Sequence, residues 1–421
     1  MLKLVLFFLL FEFAFSLDAT MEIVKKKLSL PTINVAASID SLNEDEISTK
    51  LLKLIQKDLE VSSHFNDSLV TIKSEFSEMT KYKLLADNEI DLYLLFQISL
   101  DEEKRYVINT KLYDVNTNSL VQSKTYITST FDRYPFLAHK IAIDINKYLK
   151  APSIEWMDKF VIFSRYLDSK TSEIVISDYT LTYQKVVVKG GLNIFPKWAS
   201  SDQKAFYYTS YKGIVPALMK QNLYTNKLEK LLTSDGMIVC SDVSDDGTKL
   251  VLTMAPNSQP DIYVYDTITK IKTRITKYVG IDVGGSFVEN DTKIVFVSDR
   301  LNYPNVFAKK IGQDGVERMI YHGKNNSQST TFDDYIVYSS RETDNEFGLN
   351  VFNLYQISTK SDDVRRLTTN GRNQFPKFSS DGESLLFIKS TNKSYLGIVR
   401  LNYNKSFLFP LKSGKLQSID W

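Results

Sequence analysis

The sequence has a single cysteine and three histidines among its 421 residues. Cys240 cannot form an intramolecular disulfide, so the fold has to be stabilised by packing rather than by cross-links. No basic residue or histidine adjoins Cys240 in the sequence to activate its thiol, and we interpret it as a packed strand residue. No Cys/His pattern with metal-ligand spacing occurs. The sequence therefore predicts no metal site, and it contains no cofactor motif.

An excess of charge of one sign is also lacking. Lys and Arg total 52 against 50 Asp and Glu, which gives a net charge of +2 at pH 7. A protein that binds nucleic acid or an anionic membrane surface carries a basic footprint, which this chain does not have. We therefore expect no nucleic-acid partner, and contact with membranes through protein partners alone.

Long apolar runs are absent beyond the amino terminus. There, residues 1–16 combine a basic Lys3, an apolar stretch, and the small residues Ala14 and Ser16 ahead of a cleavage point. This is the layout of a secretory signal peptide. The stretch is too short for a membrane span, and Glu12 interrupts it. The sequence predicts that the mature chain is exported from the cytoplasm.

Aromatic residues, by contrast, make up 12 % of the chain, which favours β-structure over a helical bundle. One pattern recurs roughly every 45 residues: an anchor residue, most often aromatic, then a turn signal such as Asp381-Gly382, then a second apolar strand. A third and a fourth short strand follow, so that each repeat contains four strands. The six anchors are Trp198, Val243, Phe287, Phe332, Phe378 and Trp421.

Four-stranded units of this length bury their faces by packing around an axis, which predicts a β-propeller. The first repeat begins at its second strand, at Phe160, without an anchor strand before it. The last repeat ends on an anchor strand, at Trp421. We therefore expect the carboxyl-terminal strand to complete the first blade and to close six blades into a ring over residues 157–421.

The preceding segment, residues 27–150, predicts a small α/β domain. A strand over residues 31–37 is followed by an amphipathic helix, by paired strands, and by a second amphipathic helix that ends before Pro152. The apolar stripes are Ile47, Leu51, Leu54, Ile55 and Leu59 in the first helix and Leu137, Ile141, Ile145 and Tyr148 in the second. The predicted fold class is α+β, with this domain followed by the propeller.

Several segments together resemble the TolB family. They are "LSLPTINVA" at the first strand and, in the repeats, "FPKWASSD", "VSDDGTKLVLT", "KIVFVSDR" and "RRLTTNGRNQFPKFSSDG". The resemblance covers essentially the whole mature chain, and its specificity lies in the domain order and in the closing strand at Trp421. Two copies depart from the turn pattern because they lack its glycine, at Ser201-Asp202-Gln203 and at Phe332-Asp333-Asp334. Partner-contact residues therefore cannot be assumed to match.

The resemblance implies a non-catalytic adaptor of the periplasm, acting as a monomer. In that family the amino-terminal tail and domain bind the inner-membrane protein TolA, and the propeller binds Pal, an outer-membrane lipoprotein. The resemblance thus implies a role in Tol-Pal function, keeping the outer membrane drawn in during cell division. These are expectations from the family and not from composition or spacing.

Two sets of residues are candidate binding sites. The tail, residues 17–26, has no turn signal, and its residues alternate enough to pair as an added strand; a frayed terminus is the other interpretation. The resemblance implies that it recruits TolA, through Leu17, Asp18, Ala19, Thr20, Met21, Glu22, Ile23 and Val24. In the propeller, the loops that join consecutive blades must all cross one face. From these loops we select Met237, Tyr278, His322, Arg372 and Asn373 as partner contacts.

An exported propeller hydrolase that acts on peptides or glycans is the alternative. A nucleophile elbow needs Gly-x-Ser-x-Gly, and the nearest segment, Gly284 to Val288, lacks the last glycine. For His64, His139 and His322 we find no pattern of serine or carboxylate partners, and we expect ordinary helical or solvated roles. The sequence thus favours binding over catalysis.

Overall fold

The structure, a computed structural model, describes residues 30–42, 46–342, 350–361 and 363–421. The predicted signal peptide, residues 1–16, and the predicted tail, residues 17–26, lie outside these ranges. No helix in the described part of the chain is both long enough and apolar enough to cross a membrane.

The first described region is a mixed β-sheet with helices on its two faces. The strand Thr32–Ala37 pairs in parallel with two neighbours, and the remaining pairs are antiparallel. Across the sheet the strands are Asn66–Asp67, Thr32–Ala37, Leu92–Leu100, Tyr106–Asp114 and Ser119–Thr128. The helices are α1 (Ile47–Ser62), α2 (Tyr82–Asp87) and α3 (Tyr134–Tyr148).

Burial in this region follows the predicted apolar stripes. All five stripe residues of α1 are buried, and Leu137, Ile141 and Ile145 of α3 are buried with them against one face of the sheet. On the other face, Leu85 of α2 packs with Tyr93 and Leu95. The period of about 3.6 in the sequence therefore located both long helices and the face that each one buries.

The described residues that follow form six blades of four strands each around a central axis. From the innermost strand outward, blade 1 contains Lys415–Asp420, Val161–Tyr166, Ser172–Ser177 and Gln184–Val188. Blade 2 contains Asn193–Trp198, Ala205–Ser210, Ala217–Asn222 and Leu228–Thr233. Blade 3 contains Ile238–Val243, Lys249–Met254, Asp261–Asp266 and Lys272–Arg274. Blade 4 contains Asp282–Val288, Lys293–Ser298, Asn305–Lys310 and Glu317–Arg318. Blade 5 contains Lys324–Phe332, Tyr335–Arg341, Phe352–Ser358 and Val364–Arg366. Blade 6 contains Arg372–Phe378, Ser384–Ser390, Ser394–Arg400 and Lys405–Pro410.

The ring is closed by the last strand of the chain. Lys415–Asp420 runs antiparallel to Val161–Tyr166, with Ile419 opposite Phe163. The next residue, Trp421, stacks on Trp156 with a ring-centroid distance of 5.1 Å. The predicted fold class is therefore confirmed, including six blades and closure by the carboxyl-terminal strand. The proposed domain boundaries stay predictions.

The inner hairpin turns show how the repeat tolerates a missing glycine. Gly382, the glycine of one regular turn, has φ +71° and lies against the Phe332 ring, where a Cβ atom would clash. In a turn without glycine, Gln203 adopts φ 53°. Its side chain accepts a hydrogen bond from the Phe160 backbone N–H at 2.9 Å and donates one to the Phe160 carbonyl at 2.8 Å. These bonds offset the cost of left-handed backbone at a residue with a side chain.

Candidate functional site on the faces of the propeller

Strand order divides the connections of the propeller between two faces. Because neighbouring strands in a blade are antiparallel, the loops after the second and fourth strands emerge on one face, and those after the first and third emerge on the other. We call the first the open face; its blade-to-blade loops are 189–192, 234–237, 275–281, 319–323, 367–371 and 411–414. We call the other the docked face, because the α/β region packs against it.

The contact at the docked face has an apolar centre. Val61 of α1 and Ile143 of α3 share one buried cluster with Trp156, Phe409 and Ile419. All five side chains are buried. Burying apolar area of this extent stabilises by roughly 25 cal/mol for each Å² removed from water. The α/β region is therefore held to blades 1 and 6 by a continuous core.

A group of charged side chains lies beside this core. His139 of α3 lies between Asp58 of α1, whose Oδ2 is 2.8 Å from Nδ1, and Asp178 of blade 1, whose Oδ2 is 3.5 Å from Nε2. The Tyr179 hydroxyl donates to Asp58 Oδ1 at 2.5 Å. All four residues have no exposed side-chain surface. Burial lowers the pKa of His139, but the two carboxylates outweigh burial and raise it to about 10.

His64 anchors a second group at the end of α1. Asn146 donates from its side-chain nitrogen to the Pro152 carbonyl at 2.8 Å, which leaves its oxygen to accept from His64 Nδ1 at 2.5 Å. The Tyr403 hydroxyl of blade 6 donates to His64 Nε2 at 2.6 Å, and the Arg400 guanidinium lies 3.4 Å from that nitrogen. Burial and the Arg400 charge lower the pKa of His64. The ring is therefore neutral and accepts at Nε2.

The expectation of solvated or ordinary helical roles was wrong for His64 and His139. His139 has two carboxylate partners, but Asp58 lies 81 residues before it and Asp178 lies 39 residues after it, so no local pattern reveals them. Both histidines are buried at the docked face. A substrate in solvent does not reach His139, and these groups connect the α/β region to the ring.

On the open face, backbone and side-chain hydrogen bonds join successive loops. The Lys212 ammonium donates to the Lys189 carbonyl at 3.1 Å, and the Ala255 N–H donates to the Met237 carbonyl at 2.8 Å. Further round the ring, the Ile281 N–H donates to Asp299 Oδ1 at 2.8 Å. Loops held in this way on a closed ring present their side chains in a fixed arrangement.

The structure places three of the predicted loop residues on accessible parts of the open face. Met237 is half-buried and lines the mouth of the central channel. Tyr278 is half-buried under the Arg300 guanidinium, 4.9 Å from its ring centroid. Arg372 is exposed at the start of the inner strand of blade 6. Their roles as partner contacts stay predictions.

The remaining two predicted residues hold loop structure. His322 is exposed but packs against the Tyr355 ring at 4.8 Å. Asn373 is 1 % exposed, and its side-chain nitrogen donates to the Phe352 and Asn370 carbonyls at 2.9 Å each. Any effect of Asn373 on a partner would act through the shape of its loop. Direct contact of Asn373 and His322 with a partner also stays a prediction.

Sequence reasoning missed a set of exposed apolar side chains on the open face. Ile214 is fully exposed, Val279 is 91 % exposed and Tyr321 is 75 % exposed. We call this set, with two less exposed members, the apolar tips; they are Leu167, Ile214, Val279, Ile281 and Tyr321. Exposed large apolar groups on a rigid loop are typical anchors for protein partners. The sequence does carry a signal for these exposed residues. It is an apolar residue next to glycine or proline in a turn, as in "KGIVP" and "YVGI".

The inner strands of all six blades line a central cavity of about 300 Å³. Inside it, the Lys197 ammonium lies 3.0 Å from Asp420 Oδ1 and 3.2 Å from Asp242 Oδ1. Burial lowers the pKa of Lys197, but the two carboxylates outweigh burial and hold it above its usual range. Cys240 is 3 % exposed on an inner strand, and burial raises the pKa of its thiol. Its predicted role as a packed strand residue is confirmed.

Comparison with known proteins gives consistent matches along the chain. The family model described as the TolB beta propeller domain matches residues 159–354. A protein of Wolinella succinogenes named Tol-Pal system protein TolB is 50 % identical over 97 % of this chain and 97 % of its own length. Proteins with the same name from Helicobacter hepaticus and from Campylobacter jejuni strain RM1221 are 48 % and 43 % identical. The alignments cover 97 % and 100 % of this chain, and 96 % and 100 % of the relatives.

Among solved structures, the crystal structure of TolB from Acinetobacter baumannii superposes with a TM-score of 0.76. The match covers 92 % of this chain and 96 % of that one, at 19 % sequence identity. At this identity the superposition establishes the shared fold, which includes the α/β region as well as the ring.

Proposed function

The chain belongs to the TolB family of Tol-Pal system proteins, and from this premise we propose that it is a periplasmic adaptor. It binds the outer-membrane lipoprotein Pal through the open face and the inner-membrane protein TolA through its amino-terminal tail, residues 17–24. By linking the two membranes it supports outer-membrane integrity and constriction during cell division. The observation that carries the Pal half is the open face, where apolar tips lie on interlocked loops.

The apolar tips support a protein partner for this face. Leaving Ile214 and Val279 in water forgoes the free energy that burial would give, roughly 1.5–3 kcal/mol for a fully buried side chain of this size. A partner that covers both gains that free energy without first ordering the loops, because the loops already hydrogen-bond to one another. The α/β region occupies the other face, so the open face is free for Pal.

For TolA, the proposal rests on the sequence of the tail and on the family. Residues 21–24, Met-Glu-Ile-Val, alternate enough to add as a strand to the edge of a partner sheet, and three lysines follow them. Main-chain hydrogen bonds would supply affinity, and alternate side chains would supply specificity.

We infer that the adaptor role is not catalytic. The histidine with carboxylate partners, His139, is closed to solvent, and His322 packs against Tyr355 without a carboxylate partner among the described residues. We also propose that the protein acts as a monomer and uses neither nucleic acid nor a cofactor. No observation favours the alternative of a propeller hydrolase.

One binding experiment with two variants tests both halves of the proposal. Ile214→Ser with Val279→Ser should weaken Pal binding at least tenfold and leave TolA binding unchanged. Deletion of residues 17–24 should abolish TolA binding and leave Pal binding measurable. The measurement is titration calorimetry of each mature variant against the purified soluble domains of Pal and of TolA.

The matched control places the same substitution on the other face. Ile268→Ser with Ile271→Ser removes two isoleucines that are 73 % and 62 % exposed in a docked-face turn of blade 3. It should bind Pal like the unmodified protein. A further variant, Tyr278→Ala with Arg372→Glu, tests the residues selected from sequence. Loss of Pal binding in the control alone, or TolA binding that survives the tail deletion, would contradict the proposal.

A further inference from the structure

The repeat places six equivalent side chains in a ring around the channel axis. They are the residues that immediately precede the six anchors, one on the inner strand of each blade. In blade order 1 to 6 they are Asp420, Lys197, Asp242, Ser286, Thr331 and Lys377. Charged groups therefore occupy four positions, and hydroxyls occupy the two positions in blades 4 and 5.

Three of the four charged side chains form ion pairs with one another. Lys197 lies between its ring neighbours Asp420 and Asp242, and contacts an oxygen of each. The second oxygen of Asp420 accepts from the Trp198 N–H at 2.8 Å, and that of Asp242 accepts from the Phe287 N–H at 2.9 Å. Both oxygens of each carboxylate therefore already have a partner within the ring.

Lys377 has the same sequence context as Lys197 but a different environment. Among the described residues, no carboxylate lies within 4 Å of its ammonium and no hydrogen-bond acceptor contacts it. Its side chain lines the cavity. Removal from bulk water and the nearby Lys197 charge lower the pKa of Lys377, and they outweigh the more distant carboxylates Asp420 and Asp242, which act to raise it. An ammonium of this kind is stabilised by an anion that enters the cavity.

A second hydrogen-bond donor in the cavity also lacks an acceptor. The Ser329 side chain on the inner strand of blade 5 is 8 % exposed and lines the same cavity, and its hydroxyl has no partner among the described residues. A buried hydroxyl without a partner destabilises the fold, and a ligand that accepts its hydrogen bond removes that cost. Blade 5 adjoins blade 6, so Ser329 and Lys377 lie on neighbouring strands.

The rest of the cavity wall is largely apolar. Phe195, Met237, Val283 and Phe375 line it. A Cβ atom built on Gly284 meets no atom within 4 Å, so that part of the wall borders open space. Apolar walls with a few convergent polar groups are the usual composition of a small-molecule site.

From these observations we propose that the channel binds a carboxylate borne on a short apolar group, with the Lys377 ammonium and the Ser329 hydroxyl as its donors and Phe195 and Phe375 as its apolar contacts. A free short-chain carboxylate and an acidic side chain of a bound partner share this chemistry. The site itself does not depend on the proposed adaptor function, because its donors and walls belong to this chain.

The test is titration of the mature protein with sodium butyrate at constant ionic strength, followed by calorimetry and by thermal melting. We expect saturable binding and a rise in Tm that neither sodium chloride nor butanol reproduces. Lys377→Met should reduce affinity at least tenfold, and Ser329→Ala should reduce it by about fivefold, the loss of one hydrogen bond. Lys185→Met, which removes an exposed lysine of blade 1, is the matched control and should bind normally.

A second measurement uses the unmodified protein, so it does not depend on how a variant folds. Butyrate should protect Lys377 from acetylation, detected by mass spectrometry, while Lys185 stays reactive. Protection by the Pal domain without butyrate would identify a partner carboxylate as the source, and protection by butyrate alone would identify a free one. Equal butyrate binding by Lys377→Met, or unchanged acetylation of Lys377, would overturn the proposal whether or not Pal binds.

Discussion

The docked and open faces are built from the same repeats but differ in what holds them. At the docked face, buried charges and an apolar core join the α/β region to the ring, as in the contact of His139 with Asp58 and Asp178. At the open face, loops are joined by hydrogen bonds while large apolar side chains stay exposed. Groups that stabilise the molecule thus lie on one side, and groups suited to recognition lie on the other.

The largest loss in the free energy of unfolding should come from breaking the buried network of the docked face. Asp58→Ala removes the carboxylate that contacts His139 and accepts from Tyr179, and leaves both without that partner. We expect a loss of about 3–5 kcal/mol in the free energy of unfolding. Urea unfolding monitored by circular dichroism measures it.

The control for Asp58→Ala is Glu60→Ala on the same helix. Glu60 is 57 % exposed and forms a surface ion pair with Lys57, so its removal should cost less than about 1 kcal/mol. If both variants unfold at the same urea concentration, the buried network does not stabilise the docked face.

A smaller effect should appear in the pH dependence of stability. The pKa of His139 in the folded protein, about 10, exceeds the unfolded value near 6.5, so its charge stabilises the fold fully below pH 6.5. This contribution falls as the pH rises towards 10. Between pH 7 and pH 9.5 the unmodified protein should lose on the order of 3 kcal/mol through this group.

His139→Gln removes the titrating group while keeping a polar side chain of similar length. Its free energy of unfolding should be lower at pH 7 and should change less between pH 7 and pH 9.5. Unfolding curves of both proteins at the two pH values provide the comparison. Parallel losses of stability in the two proteins would show that His139 is not charged in the fold.

The smallest change in the free energy of unfolding is expected from substitutions at the open face. Because Ile214 and Val279 are exposed, the variant Ile214→Ser with Val279→Ser should change the free energy of unfolding by no more than about 0.5 kcal/mol. Differential scanning calorimetry checks this. A large fall in Tm would mean that the apolar tips support the ring, and the distinction between the two faces would fail.

The ring could be predicted from sequence because its signals are periodic. The anchor spacing located all six inner strands, and the unmatched first and last copies predicted that Lys415–Asp420 pairs with Val161–Tyr166. The stripe from Ile47 to Leu59 likewise predicted α1 and its buried face. In each case the information lies in residues a few positions apart or at a fixed period.

The interactions within the site could not be predicted, because they join residues far apart in the chain. Asp58 and His139 come together only when α1 packs beside α3. Phe-Pro-Lys occurs in blade 2 and again in blade 6, yet Lys197 has two carboxylate neighbours while Lys377 has none within 4 Å among the described residues. Both lysines lie next to blade 1, but the blade on the other side carries Asp242 beside Lys197 and Thr331 beside Lys377.

Closure of the ring by Lys415–Asp420 also sets the order of events in biogenesis. A chain that leaves the ribosome or a translocation pore amino terminus first has its whole α/β region and the outer strands of blade 1 outside before the closing strand emerges. Until then, the edge of Val161–Tyr166 is unpaired and open to aggregation or to a chaperone. Emergence of Lys415–Asp420 is therefore the step that closes the ring, and a variant without this strand would keep an unpaired edge in blade 1 that proteases and chaperones can recognise.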